Sequence, residues 1–293
     1  PRCARRARSP VDGPGSRWYV ANRLFVTSRT LDITNGGVVT AVVFAGLGGS
    51  STSGQVVVDG AGSLFDVGRL TVGSTRPGVV LIRNNGNVIS RTTTTVGGPG
   101  SRVILQGGTF DQNGGDINLA AFGRFDMTGG RLQNVSRFTG DLTQVGGTLA
   151  AGGSAGVMKI IGDYQLTNAA VVEVEIAGPG GFDIYDVDGT ATLEGDLNVL
   201  LLGYSATLGD TFRFLTADTI SGAFANVFLP SLGPGLKFEL SYDLSVPGSH
   251  SALLTVVDAP FASVPEPSSL ALVGTGLVGM IGFSRRRKRS LAA

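Results

Sequence analysis

The segment Gly152-Gly153-Ser154-Ala155-Gly156 fits G-x-S-x-G, the spacing that exposes a nucleophilic serine on a sharp turn. Asp183 or Asp186 and then His250 follow in the order that would complete a serine-histidine-aspartate triad, and the chemistry would be acyl transfer. Such an elbow needs a strand before the serine and a helix after it. No helical periodicity follows Ser154, so the run reads as a turn between short strands. His250 lies in Pro247-Gly248-Ser249-His250-Ser251, which reads as an exposed hairpin loop. No catalytic residue is therefore expected.

Three further patterns imitate sites. Gly274-x-Gly276-x-x-Gly279 spells a dinucleotide fingerprint, but no strand precedes it and the chain ends before a ribose-binding acid could follow. Small residues on an apolar helix serve close packing in a membrane instead. Asp183, Asp186 and Asp188-Gly189 have the composition of a calcium loop without its D-x-D-x-D-G spacing, and read as a solvated turn. Asn134-Val135-Ser136 is a formal glycosylation sequon. One cysteine, Cys3, and one histidine exclude an internal disulfide and any cysteine- or histidine-cluster metal centre. No cofactor and no metal are expected.

Charge narrows the partners. Residues 1–10 hold Arg2, Arg5, Arg6 and Arg8, and the tail holds Arg285, Arg286, Arg287, Lys288 and Arg289. Taking these nine from 23 basic residues leaves 14 against 22 acids, a net of −8 for the interior over 11–284. A mildly acidic body offers no basic face, so nucleic acid is not an expected partner.

The elements that must carry any site are read from the glycines, 46 in 293 residues, about twice the usual share. Val11-Asp12-Gly13-Pro14-Gly15-Ser16 recurs as Val58-Asp59-Gly60-Ala61-Gly62-Ser63 and as Val96-Gly97-Gly98-Pro99-Gly100-Ser101. Inside this repeat of roughly 40–50 residues runs a shorter beat, a glycine followed two residues later by an apolar side chain: Gly86 to Val88, Gly108 to Phe110, Gly130 to Leu132, Gly147 to Leu149. Between the turns stand short β-branched runs such as Val56-Val57-Val58 and Val79-Val80-Leu81-Ile82. Strands of that length at that spacing predict a mainly β fold, a parallel β-solenoid (β-helix) of about seven coils stacked at ~4.8 Å. An antiparallel sandwich is the alternative.

From about Lys159 the pattern alternates, as in Val172-Glu173-Val174-Glu175-Ile176, Phe212-Arg213-Phe214 and Lys237-Phe238-Glu239-Leu240. Alternation predicts strands with one wet face, read as a β-rich C-terminal capping module over 158–258. Solenoid repeats are assigned to 1–157, without a signal peptide and so N-terminally truncated. A linker over 259–267 contains Pro265, Glu266 and Pro267. Residues 268–283 are uncharged and include Leu270, Leu272, Val273, Leu277, Val278, Met280, Ile281 and Phe283. As one helix they span ~24 Å, long enough to cross a membrane with snorkelling arginines and local thinning. The basic residues Arg285 to Arg289 over 284–293 stop transfer and place the tail in the cytoplasm.

The ordered set of Pro265-Glu266-Pro267, apolar helix and basic run resembles the PEP-CTERM sorting signal of bacterial exported proteins. The resemblance implies recognition by exosortase, a membrane protease-transferase that cuts near the Pro-Glu-Pro motif, an inner-membrane intermediate, and association with exopolysaccharide at the cell surface or in the matrix. The body is similar to the β-repeats of autotransporter passengers, through the Val-Asp-Gly-Ala-Gly-Ser phrase, Gly146-Gly147-Thr148-Leu149-Ala150-Ala151-Gly152, and Leu208-Gly209-Asp210-Thr211-Phe212 leading to Ser221-Gly222-Ala223-Phe224.

Together these readings favour a non-enzymatic surface or matrix rod. An adhesin using exposed aromatics such as Trp18 and Tyr19, or a β-helix polysaccharide lyase or hydrolase, are the alternatives; the acids Asp12, Asp59 and Asp66 fall at turns rather than in pairs on adjacent strands.

Overall fold

The computed structural model describes residues 8–152 and 155–259. Most of its strands form one parallel β-solenoid of about eight turns, the early turns each with three short strands and three corners. One turn is Gly54–Asp59, Leu64–Val67 and Leu70–Val72; the next, Gly78–Arg83, Gly86–Ser90 and Thr93–Val96, lies on it rung for rung. The parallel ladders exclude the antiparallel sandwich for this part of the chain.

Strands of three to six residues suffice because each shows alternate side chains to the interior, and the next turn repeats the pattern in register. On the first face Leu31, Val56, Val80 and Val103 stack in one buried column and Ile33, Val58, Ile82 and Leu105 in another. On the second face Val39, Phe65, Val88, Phe110, Leu132, Leu149, Val172 and Leu197 form a single buried column. Where three faces converge, the Phe125 ring stands edge-on to Phe110 at 5.7 Å and to Phe138 at 5.8 Å. That geometry suits the ring quadrupoles and fills the middle of the rod.

The glycine beat is one corner seen from successive turns. Gly86 pairs with Gly108, and the register carries the same corner to Gly130 and Gly147. The longer repeat is two turns: the Asp12-to-Ser16 and Asp59-to-Ser63 phrases occupy the same corner of alternate turns. In each, the serine hydroxyl donates back to the aspartate carbonyl, Ser16 to Asp12 at 2.5 Å and Ser63 to Asp59 at 2.8 Å. The third copy, ending at Ser101, sits at the corner between the third and first faces.

Parallel stacking does not stop at residue 157. Ala170–Gly178 lies between Leu142–Ala150 and Asp196–Leu201, parallel to both, and the ladder continues to Val227–Phe228. Strands expected to belong to the capping module, Val172 to Ile176 among them, are thus solenoid rungs. Their alternation misleads because a solenoid strand also has one buried and one wet face. Antiparallel closure comes later: His250–Asp258 pairs with the first half of Thr211–Gly222 and with Leu236–Asp243. The expected membrane helix over 268–283 and the basic tail lie outside the described residues. Among the described residues no helix is long and apolar enough to cross a membrane.

Candidate functional site

Ser154 and the Gly274-to-Gly279 fingerprint lie outside the described residues; the remaining triad candidates do not assemble. Asp183 is fully buried and committed to backbone: one oxygen accepts the Gly156 N–H at 2.7 Å, the other the Glu175 N–H at 2.9 Å. Burial raises its pKa, and the two N–H groups only partly counter that. Asp186 instead takes Lys159 at 2.9 Å and the Thr216 hydroxyl at 3.0 Å. His250 opens a strand rather than sitting in a loop, and its Nδ1 accepts the Ile220 N–H at 3.0 Å. A triad base needs the reverse, Nδ1–H donating to a carboxylate and Nε2 free to take a proton. The calcium reading divides in the same way: Asp186 and Asp188 clamp Lys159, at 2.9 and 2.6 Å, while Asp183 turns to the backbone.

The strongest charged constellation was not visible in the sequence. Register aligns Gln133, Ala150, Glu173 and Asn198 on four successive turns of the second face. Ala150 is small, so Arg131 reaches across it to Glu173 at 2.5 Å while its Nε donates to Gln133 at 2.8 Å. Gln133 in turn donates to Asp111 at 2.9 Å, so side chains tie turns together across the stack. Burial opposes the Arg131 charge, but the hydrogen bond and charge of Glu173 outweigh it and raise the guanidinium pKa. Removing Arg131 would strand a buried carboxylate, a loss far larger than that of an exposed ion pair.

Glu175 is the weak member. Its Oε2 is buried without a hydrogen-bond partner among the described residues, and burial, then Asp183 and Glu173, raise its pKa despite Arg131. A carboxylate whose folded pKa is raised favours the fold below its unfolded value of 4.5, and that contribution is lost as pH climbs through the raised folded value. Glu175→Gln should therefore stabilise the protein at pH 7 by about 1 kcal/mol, the charge being part-screened by solvent. The gain should vanish below the unfolded value; thermal melts at pH 7 and pH 4 check it, and a gain independent of pH would be the wrong sign for this account.

The scattered aspartates have a common use. Asp12 accepts from Asn35, Asp59 from Asn84 and Asp111 from Asn134, at 2.8, 2.8 and 2.9 Å, each asparagine standing at the corner one turn further on. All three asparagines have positive φ, 52°, 51° and 57°, a region asparagine tolerates better than most residues. Asn134 of the sequon thus spends its amide on a corner, and Val135 is buried. Both aromatics proposed for adhesion are exposed, Tyr19 in an outward column with Thr40 and Trp18, 42% exposed, in register with buried Val39.

The sorting residues Pro265, Glu266 and Pro267 lie beyond the described residues, so comparison with known proteins carries them. The family model described as the PEP-CTERM protein-sorting motif matches residues 263–288. The motif indicates an exported protein targeted to exosortase. The match takes in the Pro-Glu-Pro triplet, the apolar run through Phe283 and Arg285 to Lys288, with Arg289 one residue beyond. Such a signal implies processing by exosortase, passage through a membrane-anchored intermediate and arrival at the surface. No curated protein matches the chain, and the comparisons leave the autotransporter likeness of the repeats as a resemblance.

Proposed function

We propose that this chain is a non-enzymatic structural protein of the bacterial surface or extracellular matrix, associated with exopolysaccharide and delivered by exosortase. The observation that carries the reading is the sorting motif behind a parallel β-rod. In this reading residues 268–283 form a transient membrane helix and the basic tail stays in the cytoplasm until cleavage, in keeping with the positive-inside rule. The rod supplies length and stiffness, and its aspartates act as rungs between turns, which supports a structural role for them over a catalytic one.

An adhesin is the second reading, favoured by aromatic side chains exposed on the first turns; a polysaccharide lyase or hydrolase is the third. A glycan array probed with the purified protein, scored against degradation of the same glycans, separates them. The expected result is no degradation, with Ser154→Ala and His250→Ala indistinguishable from the parent. Glycan cleavage abolished by either substitution would overturn the non-enzymatic reading.

A further inference from the structure

The first three turns carry, on the outside of the third face, a group of side chains that the core does not use. Strand Arg23–Val26 turns Arg23 and Phe25 outward, Phe44 opens the strand Phe44–Leu47 above it, and Arg69 immediately precedes Leu70–Val72. The register pairs Arg23 with Phe44, and Leu24 with Ala45 and then Leu70, so Phe44 stands between Arg23 and Arg69 in a column along the rod. The two rings lie 5.6 Å apart, tilted by 54°. They rest over Gly46, where a Cβ would come within 2.8 Å of the Phe44 ring and 3.2 Å of Phe25. Gly46 thus keeps an aromatic platform against the sheet.

With Val42, Val43, Gly68 and Thr92 these residues line an open groove of about 680 Å³. Phe25 is 60% exposed, Val42 45% and Val43 50%, a cluster of apolar surface rather than scattered single residues. No acid among the described residues lines the groove. Neither Arg23 nor Arg69 has an ion pair among the described residues, whereas Arg91 on the next turn is neutralised by Asp66 at 2.7 Å. Two uncompensated guanidinium groups on a mildly acidic body form a local anion-attracting site.

The combination selects a ligand chemistry. Exposed rings offer a flat apolar face to the C–H side of a sugar, and a guanidinium fork matches a carboxylate in two parallel hydrogen bonds. Arginines on either side of a ring, spaced along the rod, suit a ligand that repeats along its length. We propose that this groove binds a carboxylate-bearing polysaccharide laid along the first three turns, with Phe25 and Phe44 as its platform and Arg23 and Arg69 holding its carboxylates. The proposal rests on the surface location proposed above and names the charge class of the glycan and where it sits.

The test titrates the full chain, in mild detergent, with polygalacturonate and with dextran, a neutral glucan. Polygalacturonate should bind and dextran should not, with affinity falling as salt rises. Arg23→Gln with Arg69→Gln should weaken polygalacturonate binding at least tenfold and flatten its salt dependence, and Phe25→Thr should weaken it severalfold. All three side chains point outward, so the melting temperature should hold. Arg213→Gln, which removes one of the same charges on a distant turn, should leave binding unchanged. Equal binding of dextran, equal loss in Arg213→Gln, equal binding of a single-stranded oligonucleotide, or groove-dependent self-association without glycan binding would each overturn the assignment. A chain displayed on the surface yet indifferent to polygalacturonate would sink this inference and leave the proposed function standing.

Discussion

Gly108→Ala should weaken the rod by about 3–5 kcal/mol, far beyond the usual loss for a glycine-to-alanine change on a surface. Two costs add. Gly108 has φ +118°, a region L side chains rarely adopt, and its Cβ would stand 2.1 Å from the Gly86 carbonyl oxygen one turn below. The neighbour is backbone inside a parallel ladder, so it cannot yield without breaking rungs on both turns. The same conflict repeats up the corner, at 2.6 Å between Gly130 and the Gly108 oxygen and 2.4 Å between Gly147 and the Gly130 oxygen. Gly114 separates the two costs, since it has φ +82° and nothing within 4 Å. Gly114→Ala should lose only the ~1–2 kcal/mol of the left-handed conformation. Denaturant unfolding of the two variants against the parent decides it, and equal losses would show that close stacking is not what demands the glycine. Because a solenoid is a sum of turns and interfaces, a local loss at Gly108 should also appear as early hydrogen exchange in the adjoining turns.

That corner explains why the solenoid was legible. A backbone oxygen one turn below leaves no room for a Cβ, so glycine recurs with the period of the coil, and the apolar residue two places on falls into the buried column of the second face. Val88, Phe110, Leu132 and Leu149 are those residues. What stayed hidden depends on lateral neighbours. Arg131 meets Glu173 two turns away only because register puts small Ala150 between Gln133 and Glu173, and no sequence spacing announces that. The corner bonds from Asp12, Asp59 and Asp111 could have been found: in each, an asparagine follows the residue that pairs with the aspartate, 23 to 25 residues on. The end of the stack could not, because alternation in Val172 to Ile176 is the same whether the next strand runs parallel or antiparallel. His250 was misplaced for a related reason: Pro247-Gly248-Ser249 does mark a turn, but the partner that draws His250 into a strand, Ala217, is far away in sequence.

In a host with a matching exosortase, protein recovered from the cell surface should lack everything after roughly residue 267. The body and the signal meet at a defined place: His250–Asp258 is paired on both sides, and the Ala259 N–H bonds the Gly235 carbonyl at 2.8 Å. From Ala259 to Pro265 the chain can reach at most ~20 Å. The triplet carries two prolines, which lack the N–H for regular pairing and favour an extended backbone that suits a protease. The uncharged stretch that follows would hold the triplet at the outer boundary of the inner membrane, and the basic run would resist being drawn through. Glu266→Ala should abolish cutting while leaving the membrane stretch intact, and the whole chain should then remain in the inner-membrane fraction. Deletion of Arg285 to Arg289 should also prevent correct processing, through lost orientation rather than a lost recognition residue. Intact-mass measurement of surface and membrane fractions reads all three cases. Surface protein that still carried Phe283 and the arginines would make the tail a permanent anchor, and processing that survived Glu266→Ala would remove the triplet from the recognition chemistry.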